Sequence, residues 1–273
     1  MSGSRLVDLR IPKLQQRLQM FVHGPHDKHV SQQLSQHGVW EPYETSLVQL
    51  LLNPGDVFVD VGANVGYFTV LAASLVGDSG HVFAFEPDPE NFRLLVKNTE
   101  HNNLHARVEA VQAGLAQQDR AGTLYLSGDN LGDHQIYPGE PGRQQVGIEL
   151  FNGSPKLTRL MTATQKSNID LIKIDTQGSE FAVITGLVDL ISTLQTPPTI
   201  LIELTPFSLR QAGSSGRALI ELLATFGQDM WIVDHIEHRL VLSTAAALAT
   251  WCDNVDACEG DEGFMNILIG AGT

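Results

Sequence analysis

Short apolar strands alternate with helical runs from residue 53 onward, and this order constrains the fold more than any other feature of the chain. The strand-like segments are "DVFVDVG", "HVFAFEP", "RVEAVQAGL", "IDLIKIDT" and "TILIELTP", with helical runs such as "YFTVLAASLVG" and "DPENFRLLVKNTEHNN" between them. Strands joined through helices of this length pair in parallel by right-handed crossovers. The sequence therefore predicts a doubly wound α/β domain over residues 53–273, with edge strands from the tail segments "MWIVDHIEHRLVLS" and "FMNILIG".

Two segments depart from this order. Residues 1–52 contain the helix-compatible runs "LVDLRIPKLQQRLQMFV" and "YETSLVQLLL" and no alternating strand pattern, so we expect a helical N-terminal cover. Residues 116–168 contain one possible strand, "TLYLS", and then the Gly- and Pro-bearing "GDNLGDHQIYPGEPGRQQVG". Because an irregular stretch of this length in a compact domain is usually functional or disordered, we predict a long insertion here.

The composition restricts the partners and the compartment. With 273 residues, of which 42% are hydrophobic, the chain can bury a full core, and no stretch approaches the roughly 18 apolar residues of a membrane span. The net charge of −14 disfavours nucleic acid, whose recognition depends on clustered Lys and Arg. Cys252 and Cys258 are too few for a disulfide framework and are expected to be reduced. We expect a cytoplasmic protein that binds a small molecule, with no nucleic-acid or membrane partner; a homo-oligomer is compatible with the sequence.

The segment "DVGANVGYFT", which begins at Asp60, joins the first strand of the α/β domain to its helix. Ligands of such domains bind beyond the carboxyl ends of the strands. Gly62 and Gly66 allow a tight turn and a close approach of the backbone to a ligand. Glu86 ends the next strand 24 positions after Gly62, near the spacing at which nucleotide-binding units place a carboxylate on ribose hydroxyls. Because a third acid, Asp175, ends a later strand, we interpret the turn as part of a ribose-binding site rather than a plain turn.

The turn does not match the dinucleotide fingerprint G-x-G-x-x-G. Starting from Gly62, that pattern needs glycines at the positions of Asn64 and Tyr67, and the Tyr67 ring would obstruct a pyrophosphate. S-adenosylmethionine has no phosphate and carries a positive sulfonium, which suits a site with Asp60 and Glu86 and few basic residues. We therefore predict S-adenosylmethionine as the cofactor.

Together these segments resemble one family, the FkbM-type methyltransferases of the class I S-adenosylmethionine-dependent group. The matching segments are "GVWEPYETSLVQLLLNPGDVFVDVGANVGYFTVLAA", "VFAFEPDPENFRLLVKNTEHNN", "IDLIKIDTQGSEFAVITGL" and "ILIEL", within roughly residues 37–205. The resemblance implies a mostly parallel seven-stranded sheet with one antiparallel strand. It also implies methyl transfer, most often to a hydroxyl oxygen of a small metabolite, sugar or polyketide-like acceptor. The family's usual D-x-E-G reads "DTQG" here, with Gln177 in place of the acid.

The turn and the resemblance together predict the cofactor site. Its predicted residues are Asp60, Gly62, Ala63, Asn64, Gly66, Glu86 and Glu41. Asp60 and the glycine loop would lie near the methionine portion of the cofactor, and Glu86 would bind the ribose. Glu41 belongs to "WEPYE", which the resemblance places over the cofactor end of the sheet. Trp40, Glu41 and Tyr43 either form part of a lid there or pack the N-terminal segment down.

Methyl transfer requires alignment of donor and acceptor and, for a hydroxyl acceptor, removal of its proton. His134, in "DNLGDHQIY", is the predicted base because a histidine titrates near neutral pH. Asp175 is the second predicted catalytic residue, since Lys173 and Asp175 are costly to bury in an apolar strand unless they are paired or functional. Asp129 and Asp133 flank His134 and either orient it, bind a metal with Asp175 or are plain turn residues; the turn interpretation is preferred and no metal is predicted.

Two other functions are compatible with this fold. One is a nicotinamide-dependent oxidoreductase, which Asn64 and Tyr67 oppose. The other is a non-catalytic binding protein, because a fold does not fix a function. The motifs favour the hypothesis of an S-adenosylmethionine-dependent methyltransferase acting on a small hydroxyl-bearing molecule.

Overall fold

Strands and helices alternate through most of the chain, for which a computed structural model describes residues 3–139, 141–162 and 168–272. The strands are β1 (Arg5–Asp8), β2 (Gln19–Val22), β3 (Val57–Val61), β4 (His81–Phe85), β5 (Val108–Val111), β6 (Gly114–Ala116), β7 (Arg120–Leu126), β8 (Gln144–Asn152), β9 (Leu171–Ile174), β10 (Thr199–Leu204), β11 (Met230–Asp234), β12 (Arg239–Ser243) and β13 (Met265–Ile269). The helices are α1 (Val30–His37), α2 (Pro42–Leu51), α3 (Tyr67–Val76), α4 (Pro89–His101), α5 (Gly153–Leu160), α6 (Glu180–Thr193), α7 (Pro206–Gln211), α8 (Gly216–Ala224) and α9 (Ala245–Ala257).

A central sheet has the strand order β12-β11-β13-β10-β9-β3-β4-β5. Five neighbouring strands run parallel to one another, namely β10, β9, β3, β4 and β5. β13 is antiparallel to both of its neighbours, β10 and β11. Seven of the eight strands thus form a doubly wound sheet with one antiparallel member, which confirms the predicted α/β fold class. The eighth strand, β12, pairs antiparallel with β11 at the edge. The tail of the chain supplies the three strands at this edge, as predicted.

Helices cover both faces of the central sheet, which explains why its strands are apolar at successive positions. Phe58 of β3 belongs to the buried cluster that contains Leu71 of α3. The next residue, Val59, belongs to the cluster on the other face, which contains Ile184 of α6. Strands buried on both faces in this way are typical of parallel sheets. Within the described ranges, none of the helices combines the length and the apolar character that crossing a bilayer requires.

The helix predicted over the first apolar run of the N-terminus is wrong, because β1 and β2 form an antiparallel hairpin there. Asn98 of α4 donates to the Phe21 carbonyl (3.0 Å) and accepts from the Phe21 N–H (2.6 Å). Asn102, one turn later, makes the same two hydrogen bonds with Gln19. These side chains satisfy the backbone groups that a helix would have paired internally, so a tertiary contact overrides the helical pattern. The second predicted helical run does form α2.

The segment over residues 116–168 has more regular structure than predicted. β6, β7 and β8 form a separate three-stranded sheet in the order β6-β8-β7, and α5 follows β8. The prediction of irregular structure is therefore wrong for residues 144–160. The overlooked signal is the alternation in β8, where Val146, Ile148 and Leu150 are less exposed than the residues between them. Residues 127–139 and 141–143 are largely irregular, as predicted, and residues 163–167 lie outside the described part of the chain.

Candidate functional site

A cavity of about 550 Å³, the first cavity, lies beyond the carboxyl ends of β3 and β9, where the strand order reverses. Ligands of doubly wound folds bind at this point. The predicted site residues that line the first cavity are Glu41, Asp60, Gly62, Ala63, Asn64, Glu86, His134 and Asp175. Gly66 is the predicted residue that is absent from the lining. The fold thus brings residues from three strand ends, from the loop that contains His134 and from the position before α2 to one place.

The turn after β3 has the backbone conformation that its glycines predict. Gly62 and Gly66 have positive φ angles of 84° and 88°. A Cβ at Gly62 would overlap the carbonyl oxygen of Asp175, and a Cβ at Gly66 would lie 2.5 Å from Cδ1 of Leu95. The two glycines are therefore needed to pack the turn against neighbouring protein. Gly62 also lines the first cavity and Gly66 does not, so a close approach of the backbone to a ligand stays a prediction for Gly62.

Glu86 follows β4 and joins two loops at the edge of the first cavity, where it is 5% exposed. Its Oε2 accepts the Asn64 N–H (2.7 Å) and its Oε1 accepts the Asp88 N–H (2.8 Å). Asp88, and not Glu86, caps α4. Burial raises the pKa of Glu86 to about 8. Since each carboxylate oxygen has a second lone pair, Glu86 can also accept hydrogen bonds from hydroxyls in the cavity.

Lys173 is the one Lys or Arg among the described residues that line the first cavity. Its side chain is 7% exposed, donates to Oδ2 of Asp175 (3.1 Å) and places Nζ 4.5 Å from the centroid of the Phe68 ring. Burial opposes the positive charge of Lys173, but the neighbouring carboxylates, Asp175 foremost, outweigh it and raise the pKa. Burial also raises the pKa of the nearby Asp60. The cationic charge of Lys173 is therefore balanced within the protein, and the cavity has an excess of acids.

Glu41 combines a strained backbone with an unsatisfied side chain. It precedes α2 with a φ of 42°, in the left-handed region that disfavours a residue with a Cβ. Its Oε2 is buried and, in the part of the chain described, has no hydrogen-bond partner. Burial is the main cause that raises the pKa of Glu41 to about 8. Such features concentrate at functional sites. Trp40 also lines the first cavity, whereas Tyr43 is absent from the lining and stacks on the His238 ring.

His134 lines the first cavity with its ring held in one tautomer. Nδ1 accepts the Ser127 N–H (3.1 Å), so the proton of the neutral ring is on Nε2 and the other edge of the ring is a donor. Burial lowers the pKa of His134, which favours this neutral form. A donor can bind a ligand oxygen or nitrogen but cannot take a proton from a hydroxyl. The base role of His134 stays a prediction, and this geometry does not favour it.

The two acids beside His134 are engaged in ion pairs. Asp129 pairs with Lys28 (3.0 Å), and Asp133 pairs with Arg143 (2.6 Å). A search of the described residues finds no group of three or more His, Cys, Asp or Glu side chains placed to hold a metal ion. The ion pairs therefore engage both carboxylates.

Gln177 and Glu203 line the first cavity although neither was among the predicted site residues. Gln177 has a φ of 52°, and its Nε2 donates both to Oδ1 of Asp175 (2.7 Å) and to Oε2 of Glu203 (2.9 Å). An acid at this position, as in the usual family motif, would face two carboxylates at the same distances. The sequence did contain two signals for this pair, namely the amide within "DTQG" and the acid within the apolar run "ILIEL".

A loop around Leu131 is fastened over the first cavity by residues with no sequence signal. The Leu131 carbonyl accepts from Nδ2 of Asn91 (3.1 Å) and, more distantly, from Nδ2 of Asn64 (3.5 Å). The Leu131 N–H donates to Oδ1 of Asp27 (3.4 Å). Side chains from the N-terminal segment, the β3 turn and α4 therefore hold one loop in place, and this arrangement becomes visible only once the three segments are folded together.

The similarity to known proteins extends across these site residues. A sequence model of the methyltransferase FkbM domain matches residues 60–230, which is more than half of the chain. The chain belongs to the FkbM methyltransferase family. The matched range begins at Asp60 and contains Glu86, Asp175 and Glu203, so the acids in the described lining of the first cavity, apart from Glu41, lie within the FkbM domain. The predicted family is confirmed.

Relatives of this FkbM-family chain include curated methyltransferases. Methyltransferase 1 of Beauveria bassiana (strain ARSEF 2860) is 28% identical over 155 residues, or 50% of this chain and 60% of that protein. The 31-O-demethyl-FK506 methyltransferase FkbM of Streptomyces tacrolimicus is 30% identical over 161 residues, or 50% of this chain and 62% of that protein. The chain thus spans about 60% of the length of these relatives. Among solved structures, methyltransferase FkbM from Methylobacillus flagellatus KT has a TM-score of 0.46 at 13% identity, with 84% of this chain and 51% of that chain covered.

Proposed function

We propose that this protein transfers the methyl group of S-adenosylmethionine to a hydroxyl oxygen of a small-molecule acceptor. The observation that carries the proposal is the first cavity of a methyltransferase-family chain, in which the buried carboxylate Glu86 sits beside the turn after β3. An oxygen acceptor is supported by the S. tacrolimicus relative, whose name specifies an O-demethyl substrate. It is also supported by Glu203, a carboxylate at the edge of the cavity that can take a hydroxyl proton.

The residues of the first cavity fit S-adenosylmethionine better than a nicotinamide dinucleotide. The acids that line the cavity are Glu41, Asp60, Glu86, Asp175 and Glu203. A bound sulfonium or ammonium favours the ionised forms of these acids, whereas the phosphates of a dinucleotide would oppose their ionisation and would be repelled by those that ionise. Lys173 would attract a phosphate only weakly, because its charge is already paired with Asp175. The unpaired Oε2 of Glu41 supplies a further acceptor for a donor group of the ligand.

Each part of the cavity wall then has a separate task. When bound, S-adenosylmethionine would supply an activated methyl group on a positively charged sulfur. Glu86 would accept hydrogen bonds from the ribose hydroxyls, and Glu41 and Asp60 would lie toward the cationic methionine portion. His134 would donate its Nε2–H to an acceptor atom of a bound molecule. The loop at Leu131 would shield the site from water, which strengthens electrostatic interactions inside it.

Titration calorimetry with S-adenosylhomocysteine tests the proposal. We expect a dissociation constant in the micromolar range, which corresponds to about −8 kcal/mol. NAD at the same concentration should produce no binding heat, because its phosphates meet the acidic wall. Binding of NAD without binding of S-adenosylhomocysteine would overturn the proposal. Binding of S-adenosylhomocysteine without methyl transfer to any hydroxyl compound would favour a non-catalytic binding protein.

Cofactor binding should release protons at pH 7. Burial places the pKa of Glu41 and of Glu86 at about 8, so both carboxyls are mostly protonated in the free protein at pH 7. A cationic ligand favours their ionised forms, and the affinity for S-adenosylmethionine should therefore rise between pH 6 and pH 8. Calorimetry in two buffers of different ionisation enthalpy measures the proton release directly.

The matched variants for this measurement are Glu41→Gln and Glu149→Gln. Glu41→Gln removes one of the two titrating groups and should reduce the number of protons released. Glu149→Gln removes an exposed carboxylate of β8 and should leave that number unchanged. Proton uptake on binding, or equal release by Glu41→Gln and the wild type, would contradict the assignment.

A further inference from the structure

A second cavity of about 550 Å³ adjoins the first. The two cavities share Gln177, Glu203 and Phe264. The second cavity lies beyond the carboxyl end of β10, where residues of α7 and of the loop before β8 contribute to its lining. A molecule in the second cavity would therefore meet the contents of the first cavity at these three residues.

The lining of the second cavity is mostly polar. Ten of the thirteen residues that line it have polar or charged side chains, and the apolar side chains of the lining are those of Phe207 and Phe264. An apolar acceptor would leave these polar groups without water or another partner, which is costly. A hydroxyl-rich acceptor would replace the water instead. Phe264, which is 61% exposed, offers an aromatic surface on which an apolar ring face can pack.

The charges of the second cavity disfavour an anionic acceptor. Arg143 donates from Nη1 to the Asp133 carbonyl (2.6 Å) and from Nη2 to Oδ2 of Asp133 (2.6 Å). The Arg143 side chain is 13% exposed, and its charge is balanced by the ion pair with Asp133. Glu203 and Glu262 are the remaining charged residues of the described lining. A carboxylate or phosphate on the acceptor would be repelled by them, whereas a neutral acceptor would not.

Glu203 is the carboxylate at the boundary between the two cavities that can still accept a proton. Within the described structure, Gln177 is its one hydrogen-bond partner, through Oε2, and Oε1 is open. Asp175 differs, because Lys173 and Gln177 engage its two oxygens. Burial, reinforced by Asp175, raises the pKa of Glu203 well above the ordinary value, so its ionised form, whose population grows as the pH rises, is a stronger base than an exposed carboxylate.

We infer that the second cavity binds the methyl acceptor, that the acceptor is a neutral, hydroxyl-rich molecule of the sugar or cyclitol class, and that Glu203 receives the hydroxyl proton. This inference rests on the proposed function. The acceptor oxygen forms a bond to the methyl carbon while the carbon–sulfur bond breaks and its electron pair goes to sulfur. The hydroxyl proton passes to the Glu203 carboxylate. Gln177 is a positioning residue, because it fixes Glu203 relative to Asp175.

Binding of model acceptors tests the class of substrate. Calorimetry first establishes that S-adenosylhomocysteine binds; if it does not, the proposed function fails and the inference fails with it. The protein saturated with S-adenosylhomocysteine is then studied by saturation-transfer NMR. The neutral probes are the methyl glycosides of glucose, mannose and galactose, and myo-inositol. The comparison probes are methyl glucuronoside, which adds a carboxylate, and cyclohexylmethanol, an apolar alcohol of similar size.

At least one neutral probe should give a saturation-transfer signal about fivefold stronger than either comparison probe. Phe207→Ala alters an aromatic residue that lines the second cavity and not the first, so it should reduce that signal and leave the affinity for S-adenosylhomocysteine within threefold of wild type. A stronger signal from the glucuronoside or from cyclohexylmethanol, or no signal from any probe, would overturn the inferred acceptor class. Because S-adenosylhomocysteine is bound throughout, these outcomes leave the proposed function intact.

Substitution of Glu203 tests the proton transfer. With S-adenosylmethionine and the best-binding neutral probe, Glu203→Gln should transfer the methyl group at least about 100-fold more slowly, within the range typical of general bases. Its affinity for S-adenosylhomocysteine and for the probe should stay within threefold of wild type. Glu203→Asp retains a carboxylate and should recover part of the rate. Transfer by Glu203→Gln at the wild-type rate would overturn the assignment, and Glu149→Gln serves as the exposed control.

Discussion

The substitution Glu86→Gln is expected to weaken S-adenosylhomocysteine binding at least about 30-fold. Glu86 accepts the N–H groups of Asn64 and Asp88, and in the proposed complex it also accepts the ribose hydroxyls. A glutamine presents an NH₂ group to one of the two backbone donors, so one internal hydrogen bond is lost together with the negative charge. Hydrogen bonds to charged groups contribute about 1.5–3 kcal/mol, and about 2 kcal/mol corresponds to 30-fold in affinity.

Titration calorimetry on Glu86→Gln and on Glu90→Gln measures this effect. Glu90 lies in α4, close to Glu86 in sequence, but its side chain is 70% exposed and pairs with Arg93. Its substitution should leave the affinity unchanged. The role of Glu86 would be refuted by an affinity within threefold of wild type in Glu86→Gln, provided that the two variants unfold at similar temperatures.

The substitution Lys173→Met is expected to lower the free energy of unfolding by about 3–5 kcal/mol, the range observed when one partner of a buried ion pair is removed. Lys173 is 7% exposed and lies among the carboxylates of Asp175, Glu41 and Asp60. Methionine replaces the ammonium that lies over the Phe68 ring and leaves these acids without a counter-charge. The loss should be smaller at pH 5 than at pH 7, because those acids that are ionised beside Lys173 at pH 7 can be protonated at a smaller free-energy cost at the lower pH.

Urea unfolding at both pH values tests the role of Lys173. The control is Lys28→Met, which removes a lysine from an exposed ion pair with Asp129. Exposed pairs contribute little, so the control should unfold at nearly the wild-type urea concentration. If Lys173→Met lowers the free energy of unfolding by less than about 1 kcal/mol at pH 7, Lys173 does not stabilise the folded protein by balancing the acids of the first cavity.

The sequence was sufficient for the centre of the fold because its signals there are local. The apolar run before Asp60 and the glycines at 62 and 66 predict a strand and a turn from neighbouring residues alone. Glu86 was predicted from its spacing after Gly62, and Asp175 was predicted because an acid is costly to bury in an apolar strand without a reason. Both line the first cavity.

The features that escaped prediction depend on contacts between distant segments. The N-terminal hairpin forms because Asn98 and Asn102 of α4 bind its backbone, and nothing within the hairpin sequence reports this. Gly66 packs against Leu95 instead of lining the cavity. The tautomer of His134 is set by the Ser127 N–H, which only the folded loop brings to Nδ1. Local pattern therefore predicts the central strands and helices, while the N-terminal hairpin and the chemistry of individual side chains depend on the tertiary structure.

The most direct test of the account is a crystal structure of the protein with S-adenosylhomocysteine. The account predicts that the ligand occupies the first cavity, with its ribose hydroxyls bound to the Glu86 carboxylate and its sulfur facing the boundary formed by Gln177 and Glu203. A ligand bound elsewhere with the first cavity empty, or a ribose that makes no contact with Glu86, would contradict it.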